Sequence, residues 1–179
     1  MRRFCSFWSV VVLLIIPTVL FAHGPSRLKI TEEISVAAPP QKVWDMIKNF
    51  CDIVNWHTQV AKCEGEGGNA PGAKRVLTLK AEGNPTIDEE LLNYDAEKMT
   101  YKYKISKVDV KVLPVTTYSS FLTVKPNDSG GTVVSWSGGF YRGYTKNNPP
   151  PELNDEAAVK AVTTIYKAGL ENLKKLAEQ

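Results

Sequence analysis

The stretch that decides the fold is the last one, P-P-P-E-L-N-D-E-A-A-V-K-A-V-T-T-I-Y-K-A-G-L-E-N-L-K-K-L, Pro149 to Leu176. Beyond the three prolines the chain meets no glycine or proline until Gly169. Ala158, Ala161, Val162, Ile165, Gly169, Leu173 and Leu176 recur at helical spacing and form one apolar stripe. The spacing predicts one long C-terminal helix. Its stripe carries small residues at 158, 161 and 169, so the sequence predicts a roomy space between helix and neighbour.

What lies upstream supplies that neighbour. Residues 28–36 alternate apolar and polar at 28, 30, 34 and 36, with an irregularity at 32, as a half-buried strand does. Pro39-Pro40 opens Q-K-V-W-D-M-I-K-N-F, where Val43, Trp44, Ile47 and Phe50 fall at helical spacing, and a second short helix is expected over 52–57. Four glycines and a proline between Gly65 and Gly72 mark a turn. Strand-like runs follow at 74–80, 86–94, 99–106, 118–124 and 132–141, separated by turn residues such as Gly83-Asn84-Pro85. The order is strand, two short helices, an antiparallel meander and one long helix. A curved sheet must cover its apolar face, and the last helix is the element that can do so.

The N-terminus reads as an export signal. Arg2 and Arg3 precede the apolar run Val10–Ile16, and Ala22 stands before His23-Gly24-Pro25. Cleavage after Ala22 is expected, leaving His23–Gln179 as one domain with no stable membrane insertion. The chain's formal charge of +3 falls to +1 once Arg2 and Arg3 are removed. That balance argues against a nucleic-acid partner. Export leaves two cysteines, Cys51 and Cys63, in a compartment where disulfides persist. The sequence leaves both states open for them, a disulfide or two thiols. The spacing C-x5-H-x5-C around His57 matches no common zinc pattern, and no metal or other cofactor is expected.

The segments P-P-Q-K-V-W-D-M-I (39–47), W-H-T-Q-V-A-K-C (56–63), P-G-A-K-R-V-L-T-L (71–79), E-E-L-L-N-Y-D (89–95) and T-V-V-S-W (132–136) carry a resemblance. In this order and spacing they resemble the START-like, polyketide cyclase-like (SRPBCC) superfamily. The resemblance covers nearly the whole exported chain. It implies an α+β helix-grip fold of the Bet v 1 type: a curved antiparallel sheet wrapped on a long C-terminal helix, with two short helices after the first strand. H-G-P-S at 23–26 and F-Y-R-G-Y-T-K-N-N-P-P-P-E-L-N-D-E-A-A at 140–158 are similar to the MxaD type of periplasmic protein. That likeness implies a periplasmic accessory role in methanol oxidation, with methanol dehydrogenase and its cytochrome c acceptor as partners. It brings no catalytic residues with it.

Strand parity supplies a candidate cavity. Leu77, Leu79 and Arg75 share one face of their strand, and Glu89 shares a face with Ile87 and Leu91. A charge on an apolar face needs a partner, so Arg75 and Glu89 pair with one another, anchor a polar ligand group, or sit at strand ends and reach water. Tyr103, Tyr118, Ser120 and Trp136 extend the inward set, and Ala161 and Ile165 face it from the helix. In receptors of the resembled superfamily the position of His57 points into the cavity. His57 is thus a pocket anchor beside Trp56 or a structural histidine at a helix–strand junction. Such a set suits a small apolar ligand. A cyclase-like enzyme using Arg75, Glu89, His57 or a tyrosine as acid or base is the competing reading. The proline-stiffened segment 141–152, with Tyr141, Arg142 and Tyr144, is the expected partner contact.

Overall fold

The computed structural model describes residues 24–179. The expected export signal, 1–22, and His23 lie outside the described residues. The elements are β1 (Leu28–Val36), α1 (Pro40–Ile47), α2 (Ile53–Trp56), β2 (Val60–Glu66), β3 (Lys74–Leu79), β4 (Thr86–Asp95), β5 (Thr100–Val108), β6 (Val115–Pro126), β7 (Thr132–Arg142), a 3-10 turn (Pro151–Leu153) and α3 (Asp155–Ala177). This is the expected helix-grip order. β6 starts earlier than alternation alone indicated, because its register slips between Thr116 and Ser119 and Thr117 takes a positive φ of 49°. A bulge breaks the two-residue period on which a sequence reading depends.

The seven strands form one antiparallel sheet in the order β1-β7-β6-β5-β4-β3-β2. β1 and β2 are therefore the two edges, and the α1–α2 connection crosses from one edge to the other. Further register shifts at Val60/Lys62, Asp88/Glu89 and Leu91/Asn93 bend the strands, and the sheet curls around α3. α3 packs on β1 and β7. Its first turn is capped by the Asn154 side chain, which accepts from the Ala157 N–H at 2.8 Å. Asp155 and Glu156 at its start and Lys174 and Lys175 at its end suit the helix dipole.

α3 buries Ala158, Val162, Tyr166, Gly169, Leu170, Leu173 and Ala177. The stripe drawn from sequence is thus rotated: Ala161, Ile165 and Leu176 are only half-buried. The roomy interior is corrected as well. A β-carbon on Gly169 would lie 2.6 Å from His57 Cδ2, 2.9 Å from Trp136 Cζ3 and 3.0 Å from Trp56 Cζ3. Aromatic rings fill the space that the missing side chain leaves.

Cys51 and Cys63 are joined in a disulfide, with their Cα atoms 5.7 Å apart and the two cysteines 12 positions apart in sequence. The bond ties the α1–α2 connection to the edge strand β2. Replacing both cysteines by serine is expected to remove about 2–3 kcal/mol of stability, the loop-entropy value for a short closed loop. Urea unfolding checks this, and an unshifted midpoint contradicts it.

Candidate functional site

Between α3 and the sheet lies a recess of about 50 Å³, walled by His57, Leu77, Leu79, Glu89, Tyr103, Tyr118, Trp136 and Ile165 together with Leu113, Val162 and Tyr166. Gln59, Leu79, Ile87, Leu113 and Ile165 also border a surface groove of about 730 Å³. The groove therefore adjoins the recess. A single water needs roughly 10–15 Å³ measured this way, so the recess takes a few waters or one short chemical group, and a larger body must lie in the groove.

Four residues expected in the cavity wall lie elsewhere. Trp56 stands behind His57, its ring 5.5 Å from that of Trp136. Arg75 is on the far side of Glu89, under Phe50. Ser120 is behind Tyr166, and Ala161 borders the outer groove. Alternation assigns a side chain to a face but says nothing of its depth. A helical stripe through Ile165 passes Tyr166 by, so the sequence reading does not single out this residue. Its signal was present: it stands four residues after Val162 and four before Leu170, both apolar.

His57 answers to the structural reading. Its Nδ1 accepts from the Gln59 N–H at 3.2 Å, which places the proton on Nε2, and that N–H donates to the Ile165 carbonyl at 3.1 Å. Burial lowers its pKa below the ordinary 6.5. Both nitrogens are committed, and the ring bolts the α2–β2 junction to α3. A depressed folded-state pKa means that the unfolded chain takes up a proton that the folded chain refuses, so stability falls as pH drops below 6.5. The melting temperature is expected to fall between about pH 7 and about pH 5, with a flatter slope in His57→Gln. Equal slopes in the two proteins would contradict this role.

A hydroxyl chain runs through the core, and its direction is fixed at both ends. The Trp136 indole can only donate, and it donates to the Tyr103 hydroxyl at 3.0 Å. At the other end the Ser120 hydroxyl donates to the Ser137 carbonyl at 2.9 Å, so it accepts from Tyr166 at 2.8 Å. Tyr166 in turn accepts from Tyr118 at 2.6 Å. Gly138 makes this possible, since any β-carbon there would collide with the Tyr166 hydroxyl. The Trp136 and Tyr166 rings stack, with centroids 4.4 Å apart. Burial raises the pKa of Tyr103, Tyr118 and Tyr166 above the usual phenol value, so all three are neutral at physiological pH. Tyr166→Phe is expected to destabilise by about 1–3 kcal/mol, because the Tyr118 proton is left without its acceptor. Thermal unfolding checks it, and an unchanged melting point contradicts it.

Arg75 and Glu89 pair across β3 and β4, in direct register. Arg75 Nε and Nη2 both donate to Glu89 Oε2, each at 2.6 Å. Nη1 donates to the Phe50 carbonyl, and the guanidinium lies 3.9 Å from the Phe50 ring centroid. Burial works against the Arg75 charge, but the Glu89 carboxylate together with the Tyr101 and Tyr103 hydroxyls leaves the arginine pKa raised. Mutual pairing, one of the three readings left open by the sequence, is realised through Glu89 Oε2. Neither group reaches water at a strand end, since Arg75 is 2% and Glu89 5% exposed.

The segment after β7 also needs correction. Arg142 is buried, and its guanidinium donates to the carbonyls of Tyr144 at 2.7 Å and Lys146 at 3.0 Å and meets Asp155 at 3.4 Å. The prolines leave few backbone donors here, and the arginine supplies them. It holds the loop to the start of α3 and is not free for a partner. Tyr141 and Tyr144 remain half-exposed.

Among the described residues, no helix is long and apolar enough to cross a membrane. Comparison with curated proteins returns no match. The family model described as "Polyketide cyclase / dehydrase and lipid transport" matches residues 27–178. Solved structures share the fold. The protein XoxI from Bacillus cereus is 27% identical, with 83% of this chain and 94% of that one covered and a TM-score of 0.70. A protein from Bacillus thuringiensis is 27% identical, with 85% and 100% covered and a TM-score of 0.71. One from Thermobifida fusca is 25% identical, with 83% and 92% covered and a TM-score of 0.66.

Proposed function

The chain belongs to the polyketide cyclase/dehydrase and lipid transport family, and from that membership we propose that it is a non-catalytic binding protein that holds a small, largely apolar molecule. The observation that carries this reading is the adjacency of the groove and the inner recess, which share the apolar side chains of Leu79, Ile87, Leu113 and Ile165. The commitments of His57, Tyr118, Tyr166 and Ser120 favour binding over catalysis. Both His57 nitrogens are occupied, and the protons of Tyr118, Tyr166 and Ser120 are spent inside the hydroxyl chain.

The setting we propose is the periplasm, reached through the signal at 1–22. The partners we propose are methanol dehydrogenase and its cytochrome c acceptor, whose interaction the protein assists. The support is the likeness of residues 23–26 and 140–158 to the MxaD type. Tyr141 and Tyr144 are the contact residues in this reading, with Arg142 holding the loop that presents them. The test is cytochrome c reduction by purified methanol dehydrogenase with the protein titrated in. A saturable rise in rate is expected, reduced in Tyr141→Ala/Tyr144→Ala. No change at equimolar protein would remove the proposed partners and leave the binding reading standing.

A further inference from the structure

The recess wall holds one hydrogen-bond acceptor and one donor that the protein itself leaves unused. Glu89 forms part of the wall, and both contacts from Arg75 go to its Oε2. Among the described residues nothing donates to Oε1. On the next strand, Tyr103 accepts the Trp136 N–H, yet its own proton finds only the Tyr118 oxygen, at 3.5 Å. That is well beyond the ordinary O–H···O range of roughly 2.5–3.0 Å. The strand register sets Glu89 opposite Ile105 and Leu91 opposite Tyr103, so the two polar groups are diagonal neighbours on one face. They do not bond to each other. A polar pair left open on one cavity wall asks for a group that answers both.

A hydroxyl does. It donates to Glu89 Oε1 and accepts from the Tyr103 O–H. A carbonyl answers only the tyrosine, and an ammonium only the carboxylate. Resting on the reading that recess and groove form the binding site, we propose that the ligand is a hydroxyl-bearing apolar molecule, an alcohol or phenol. Its O–H sits in the recess between Glu89 and Tyr103. Its apolar body lies in the groove against Leu79, Ile87, Leu113 and Ile165. The size of the recess supports this, because it admits the polar end of a molecule and excludes a whole lipid chain.

The experiment uses three probes of similar shape on the unaltered protein: p-cresol, 4-methylanisole and p-xylene. The first donates and accepts, the second only accepts, and the third does neither. The readout is the indole N–H resonance of Trp136, which reports on the Tyr103 hydroxyl. p-Cresol is expected to bind about tenfold or more tighter than either of the others, as one hydrogen bond to a charged group implies. Equal affinity for all three would overturn the hydroxyl proposal and leave the binding site standing. No titration of Trp136 by any probe would overturn both. In Tyr103→Phe the ratio of p-cresol to p-xylene affinity should fall, and comparing two probes within one variant cancels any change in its stability. An undiminished ratio would exclude Tyr103 from the site.

Discussion

Replacing Arg75 by methionine is expected to lower folding stability by about 3–5 kcal/mol, the range for breaking a buried ion pair from one side. Three contacts end with the guanidinium: the pair with Glu89, the bond to the Phe50 carbonyl, and the position over the Phe50 ring. The larger part of the effect comes from what remains. Glu89 is 5% exposed and would keep its charge without a cation, or take up a proton at a cost. The double variant Arg75→Met/Glu89→Leu should recover much of the loss, because two apolar side chains of similar volume need no partners. Chemical unfolding of the two single variants and the double variant closes the cycle. Additive losses in the double variant would show that the pair is not coupled as its geometry requires.

Gly169→Leu is the second large effect, about 3 kcal/mol of destabilisation from overpacking. Gly169 faces three rings, and the first added carbon would meet His57 Cδ2 at 2.6 Å, Trp136 Cζ3 at 2.9 Å and Trp56 Cζ3 at 3.0 Å. Rigid rings cannot swing aside as a flexible chain end does. Trp136 is also stacked on Tyr166, so a push on it travels into the hydroxyl chain. Gly169→Ala should cost less, since alanine adds only the β-carbon and none of the three further carbons that leucine would force among the rings. Melting temperatures of the two variants check the order. A leucine variant as stable as wild type would mean that the interior holds the free space the sequence suggested.

That last contrast separates what is legible in a sequence from what is not. The order of elements is local information: the alternation of 28–36, the proline start at 39–40 and the helical stripe after 151 each declare one element. The shared face of Arg75 and Glu89 was legible too, because strand parity is a short-range property. Depth was not. Nothing in the spacing of Ala158, Ala161 and Gly169 distinguishes small residues that leave a hollow from small residues that admit aromatic rings. His57 was ambiguous for the same reason, since its partners Gln59 and Ile165 are backbone groups, one of them 108 positions away. Arg142 looked like a free interface anchor because its acceptors are carbonyls, which a sequence does not display.

The central claim is that the recess and its groove form one small-molecule site. The most direct test is a fluorescence titration with 1-anilinonaphthalene-8-sulfonate, an apolar body with an anionic group that suits the groove's Lys80, Lys111 and Lys160. Wild-type protein is expected to bind one equivalent saturably. Ile165→Trp, which fills the half-buried junction of groove and recess, is expected to abolish binding while the fold's circular dichroism is kept. Binding that is absent from the wild type, or that survives unchanged in the folded Ile165→Trp variant, would contradict the account.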